Sequence, residues 1–383
     1  MAIKWAKEDL EEAFLGIEDP RIDRTKKYPL SEILFLVLLG ALMGVESWRG
    51  IEMVGLERLS LLRSFFPYEN GVPSHQTIGR VFSLFKPKTF ESFFSLFSSS
   101  ITGSLDGKQI AIDGKTLRGS YDKASGQKAL HILNVCAVDC GLSLAQLQVD
   151  EKTNEITAVP EMLEILDVKG ANISVDALNT QKSIAEKIIK KKADYTLALK
   201  GNHKNLNEEV NFIFDTDRHE DLIQSIETTE KGHGRVTNWV NKVIPVTNDI
   251  LPVKSEWVGL KAIGRTETTT FRDGKETFEI RNYLLSYVDA KKFATSARNH
   301  WAIENKLHWS LDVVFNEDGS RKRTDHAPRN YAVIRKLALN ILRTNKDKLS
   351  VPLMRHKAAL NPEFLLSILE KTGISLENTA EFR

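Results

Sequence analysis

Cysteine is nearly missing: Cys136 and Cys140 are the only two in 383 residues. That excludes a disulfide framework and a cysteine-rich zinc site, and it suits a reduced cytoplasmic compartment. Long apolar runs are missing too. The most apolar stretch, "ILFLVLLGALMGV" at 33–45, stops at 13 residues between Glu32 and Glu46. A bilayer-spanning helix needs about 20, and the stretch lies too far into the chain for a signal peptide. It reads as a buried core helix, with no membrane partner. Walker-type glycine loops, internal repeats and low-complexity segments are also absent. Net charge is only +2, so nothing global demands an acidic partner.

What the chain does hold is uneven. Residues 1–20 carry six acids against two lysines, whereas 320–350 carry nine Lys/Arg against Asp325 and Asp347. A basic segment of that size suggests nucleic acid, although solvated helix faces also produce such runs. Up to about residue 104 the period is helical. "DLEEAFLGIEDP" predicts a helix closed by Pro20, and "SHQTIGRVFSLF" a helix capped by Ser74 or Thr77 with Ile78, Val81, Phe82 and Phe85 on its core face. The Pro-Ser-His-Gln-Thr entry is like that of a DNA-reading helix carrying Arg80.

From residue 108 the period shortens. "KQIAIDG", "HILNVCAVD" and "SLAQLQVD" predict strands, the last two joined by a tight hairpin at Asp139–Cys140–Gly141. A helix at "AVPEMLEIL", a strand at "ANISVDA", a helix at "TQKSIAEKIIKKKA" and a strand at "DYTLALKG" follow. The order βββαβαβ implies a mixed sheet flanked by helices. Residues 226–288 are mostly strands, a β-rich insertion in which Trp239 and Trp257 are expected in the core. "ATSARNHWAIENKLHWSLDVVF" (294–315) predicts one long amphipathic helix, and "APRNYAVIRKLALNILR" another.

Two aspartates, Asp113 and Asp176, are expected at the ends of the strands "IAID" and "ISVD". Neighbouring strands would present both carboxylates at one edge, where each raises the pKa of the other. A Mg2+ ion removes that penalty and prefers hard oxygen ligands. The best third ligand is Glu304, expected on a half-buried helix face together with His300, His308 and Asp312 at four-residue spacing. Its bland alternative is a surface ion pair. Lys115, Arg118, Lys200 and Lys204 follow strand ends, where basic residues either hold phosphates or are merely solvated. His131, His219, His233, His326 and His356 share no metal-ligand spacing. His300 and His308, eight apart, cannot chelate one ion as an i, i+4 pair would.

Several long motifs resemble the H-repeat-associated transposases, a branch of the DDE transposases of bacterial insertion sequences. They are "DPRIDRTKKYPLSEILFLVLLGALMGVESWRGIEMVG", "PSHQTIGRVF", "IAIDGKTLRGS", "VDALNTQ", "DYTLALKGNHKNL", "GHGR" and "RNHWAIENKLHWSLDVVFNED". The resemblance runs over nearly the whole chain. It implies an α/β chain in three parts: an N-terminal helical, transposase-associated domain at 1–104, an RNase H-like catalytic domain at 105–350 with its insertion near 226–288, and a C-terminal helical tail at 351–383. It also implies a triad on Asp113, Asp176 and Glu304, two Mg2+ or Mn2+ ions, and cleavage and strand transfer of double-stranded DNA at element ends and target. A homodimer on DNA in a bacterial, nucleoid-associated setting would fit. The wider superfamily often places Tyr, Arg and Lys around the glutamate, and here His300 stands four before it and Leu311 seven after. Arg321, Lys322 and Arg323, directly after the last catalytic helix, are further expected DNA contacts. The rivals are a Mg-dependent structure-specific nuclease, separable by a test for joining, and a non-catalytic DNA-binding protein derived from a transposase.

Overall fold

The computed structural model describes residues 17–122, 126, 128–149, 155–232, 234–345 and 348–371. Most of the helix expected over 9–20 lies outside them. The apolar run begins after Pro29 as α1 (Leu30–Leu42), and every residue in it is buried. A helix that is apolar all round belongs in a core. Its one carboxylate, Glu32, accepts from the Tyr68 backbone N–H at 2.6 Å, and burial pushes its carboxyl upward. Around α1 lie α2 (Trp48–Glu57), the short α3 (Leu59–Arg63), α4 (His75–Leu84) and α5 (Pro87–Thr102). Ser74 caps α4 by accepting from the Thr77 N–H. The phenylalanines of α5 at 90, 93, 94 and 97 are buried, as their helical spacing predicts.

Nine strands then form one sheet: β1 (Gln109–Leu117), β2 (Leu130–Ala137), β3 (Leu142–Val149), β4 (Asn172–Val175), β5 (Asp194–Leu199), β6 (Gln224–Gly232), β7 (Arg235–Pro245), β8 (Ala262–Arg272) and β9 (Lys275–Leu285). Their order is β3-β2-β1-β4-β5-β9-β8-β7-β6. The first five are the mixed sheet implied for an RNase H-like fold. β1 pairs antiparallel with β2 and parallel with β4, and β4 runs parallel to β5. Every residue of β4 is buried, as central parallel strands require. Helices α6 (Glu155–Ile165), α7 (Lys182–Lys190) and α8 (Lys204–Asp215) follow β3, β4 and β5. The helix predicted at "AVPEMLEIL" starts earlier, at Glu155, which places Pro160 inside α6. The β-rich insertion continues the central sheet, since β9 pairs antiparallel with β5.

The expected single helix over 294–315 is broken. Helix α9 (Ala290–His300) gives way to π-helical turns at Ile303–His308 and Ser310–Val314, where the Trp309 N–H reaches back five residues to the Glu304 carbonyl. These turns, α10 (Ala327–Thr344), α11 (Val351–Leu360) and α12 (Pro362–Lys371) share one hydrophobic core with α1, α4 and α5; Phe35, Phe82 and Phe94 belong to the same cluster as Leu307, Leu337 and Leu369. A second core, with Ile110, Ile112, Ile173, Val175 and Leu197, lies between the sheet and α6 and α7. Among the described residues no helix is long and apolar enough to cross a membrane.

Candidate functional site

Asp113 is not the end of a strand. β1 runs on to Leu117 because it keeps pairing with β2 (Asp113 opposite Asn134) after its partner on the other side has stopped. The last parallel pair of β1 and β4 is Ile112 with Val175. Asp113 and Asp176 are therefore the next residues on two strands about 4.8 Å apart. Burial pushes the Asp113 carboxyl up to about 7, and the charges of Asp176, Glu304 and Glu155 add to the effect. Burial raises Asp176 as well, against the Asn179 backbone N–H that favours its anion. Asp176 Oδ1 accepts from Asn179 twice, from the backbone N at 3.1 Å and from Nδ2 at 2.9 Å.

Glu304, expected half-buried, is exposed. Bonding to the fifth residue widens the turn, so four-residue spacing no longer holds one face: His308 is buried and Asp312 intermediate. His308 Nδ1 lies 3.6 Å from Asp113 Oδ2. Burial, with Lys115 nearby, drives its pKa down to about 3, so a neutral ring faces the carboxylate. His300 points elsewhere, with Nδ1 3.0 Å from Ser174 Oγ.

A fourth carboxylate, Glu155, escaped the sequence reading. It opens α6 and is 4% exposed. One of its oxygens lies 2.6 Å from His131 Nε2, and the other accepts from Asn179 Nδ2 at 2.8 Å. His131 reaches Thr116 Oγ1 at 2.9 Å through its other nitrogen. The chain Thr116–His131–Glu155–Asn179–Asp176 thus braces the second aspartate. Spacing hid it, because its members come from β1, β2, α6 and the loop after β4. The available signal was a glycine: a Cβ on Gly114 would lie 2.2 Å from Glu155 Oε1 and 2.5 Å from His131 Nε2.

The expected phosphate contacts divide. Lys115 does not follow a strand end; it lies inside β1 on the same face as Asp113. It is buried, with Nζ 2.6 Å from Asp312, 3.1 Å from Glu317 and 3.4 Å from Asp318, which leaves it no free face for DNA. Arg118 is exposed and 3.4 Å from Asp318. Lys200 and Lys204 are exposed, Lys204 with a loose 3.9 Å pair to Glu208. Arg321 is exposed, whereas Lys322 and Arg323 are half-buried. Much of the basic segment 320–350 faces inward, contrary to expectation. Arg329 holds Glu91 at 2.6 Å, Arg335 holds Glu46 at 3.1 Å, and Lys336 donates to Gln146 at 2.8 Å. Trp257 is core, but Trp239 lines a polar cavity of about 420 Å3 beside α9, with the Arg298 guanidinium 4.8 Å from its ring.

Among the described residues no three His, Cys, Asp or Glu side chains are already gathered around one point as a metal centre. The donor chemistry nonetheless fits a divalent cation. Asp113 and Asp176 offer hard oxygens, burial raises the cost of ionising both, and the charge of Asp176 adds to that cost at Asp113. Glu304 is exposed on its turn, and its charge also raises Asp113.

Residues 104–341 match the family model described as "Transposase DDE domain", and residues 11–98 match "DDE_Tnp_1-associated". Over 369 residues the chain is 39% identical to "H repeat-associated putative transposase YhhI" of Escherichia coli (strain K12), covering 94% of this chain and 97% of that one. It is 40% identical over 361 residues to "Putative transposase YncI" of Escherichia coli O157:H7, covering 92% of each. Among solved structures, a piggyBac transposase synaptic complex with hairpin DNA aligns with a TM-score of 0.42 at 10% identity, over 99% of this chain and 83% of that one.

Proposed function

The chain belongs to the transposase DDE domain family, and from that premise we propose that it cuts DNA at the ends of an insertion element and joins them to a target, with divalent cations held by Asp113, Asp176 and Glu304. The supporting observation is the register: two carboxylates stand side by side just past the last β1–β4 pair, at a cost that a cation would remove. When bound, Mg2+ or Mn2+ supplies activation of water or a 3′-hydroxyl and stabilisation of the leaving oxygen.

The chain's own residues do the rest. Asn179 and Glu155 hold Asp176 in place. His308, neutral, borders Asp113 without adding a positive charge that would compete for it. Arg118, Lys200, Lys204, Arg321 and Arg323 hold backbone phosphates. Lys115 instead ties β1 to the segment that follows Glu304.

The test is a labelled DNA end incubated with the chain and Mg2+ or Mn2+. Wild type nicks the end and joins it to a second duplex. Asp113→Asn, Asp176→Asn and Glu304→Gln each lose several kcal/mol of transition-state stabilisation, about a thousandfold in rate, while still binding DNA in EDTA. Cleavage without joining would make the chain a nuclease, and binding without cleavage would make it a DNA-binding protein only.

A further inference from the structure

A groove of about 630 Å3 runs between α4 and the segment that leaves the π-helical turns. His75, Gln76 and Arg80 line one side and Arg321, Lys322 and Arg323 the other, with no carboxylate in the lining. Glu52, beside His75, is taken by its Nδ1 at 2.6 Å. Both walls are rigid. Helix α4 buries Ile78, Val81 and Phe82, and it sits so close on Trp48 that a Cβ at Gly79 would come within 3.2 Å of that ring. Gln76 and Arg80, four residues apart, are left exposed on one side. The opposite wall is bolted to the same helices. Lys322 donates to the Glu46 carbonyl, and its ammonium lies 3.8 Å from the Tyr331 ring and 4.7 Å from Trp48. The His326 N–H bonds the Ser83 carbonyl at 3.3 Å. Arg323 Nε donates to the Gly119 carbonyl at 3.1 Å, two residues beyond the strand that carries Asp113. This bond ties one wall of the groove to the end of the strand that carries Asp113.

We propose that this groove is the docking surface for double-stranded DNA, with α4 offering Gln76 and Arg80 to base edges while Arg321 and Arg323 hold phosphates of the same duplex. The charge complements a polyanion, since Arg80 and Arg321 form no ion pair among the described residues. The major groove, about 12 Å wide, admits one helix, and Gln and Arg are the side chains that read adenine and guanine bidentately there. Phosphate contacts set position and base contacts set specificity, so the two walls have separable roles. The proposal rests on the DDE reading for what happens to the DNA afterwards, but not for the binding.

The experiment uses the full chain in EDTA, a duplex taken from the DNA flanking its own reading frame, and a shuffled duplex of the same composition, over a salt series. Arg321→Ala should lower the slope of log affinity against log salt by about 0.9 and weaken both duplexes alike, whereas Arg321→Lys should keep the slope. Gln76→Ala combined with Arg80→Ala should cost the flanking duplex its preference, about tenfold or more, and Arg80→Lys should lose part of it because the fork is gone. Unchanged unfolding midpoints establish that the variants fold. The proposal is overturned if these variants keep the wild-type slope and preference, or if the wild type binds neither duplex. Cleavage by a wild type whose binding ignores the groove would sink the groove alone. Groove-dependent binding with no cleavage under any divalent cation would sink the catalytic reading and leave the groove standing.

Discussion

Replacing Asp113 with Asn should stabilise the cation-free protein at alkaline pH, although it destroys the catalytic site. In the folded protein the carboxyl keeps its proton up to about pH 7, against an ordinary value of 3.8. Between those values folding takes up a proton, so stability falls as pH rises. The contribution is full below about 3.8 and is lost on passing through about 7. The gap, at 1.36 kcal/mol per pH unit, sets an upper figure of about 4 kcal/mol. Asp113 keeps 19% of its side-chain surface, and water there reduces the penalty to about 1–3 kcal/mol. Asparagine preserves the shape and still accepts from the Gly114 N–H. Urea unfolding in EDTA should therefore show the variant more stable by about 1–3 kcal/mol at pH 8, with the gap closing largely by pH 5 as the wild type recovers. Mg2+ should narrow the gap: at ten times Kd it adds about 1.4 kcal/mol to the wild type and much less to the variant. If the variant is the less stable at pH 8 without metal, or if the gap ignores pH, the carboxylates do not repel as described and the case for a cation between them fails.

Gly114→Ala should cost about 1–3 kcal/mol by overpacking, because its Cβ would strike the buried Glu155–His131 pair; it should also weaken Mg2+ binding, readable by calorimetry, through the lost brace on Asp176. Lys115→Met should cost about 3–5 kcal/mol at pH 7 in a urea melt, the usual result of stranding a buried partner. Glu317 is held down to about 2 by Lys336 and then Lys115 against burial. That stability is present above about pH 4.5 and lost as pH falls through about 2, and the variant, with Glu317 held down less, should lose less stability over that window than the wild type.

Local sequence determined the elements and where their carboxylates fall. Strand and helix periods follow from side-chain geometry a few residues apart, so the β1 and β4 segments, the buried run of α1 and the hairpin at Gly141 were legible, and the long motifs identified the family. Tertiary structure decided whom each charge meets. Arg329 and Glu91 stand 238 residues apart, and Lys115 and Asp318 stand 203 apart; a run of basic letters contains no trace of such partners, and within the 320–350 run Arg335 and Lys336 proved to be buried. The same limit hid Glu155, whose role depends on contacts drawn from three other elements. It also hid the π-helical turns, since a helix's hydrophobic pattern reports which side is apolar and not whether the backbone bonds to the fourth residue or the fifth. Spacing along the chain identified candidate ligands, but packing alone turned Glu304 outward, His308 inward, and left Lys115 holding the frame instead of the DNA.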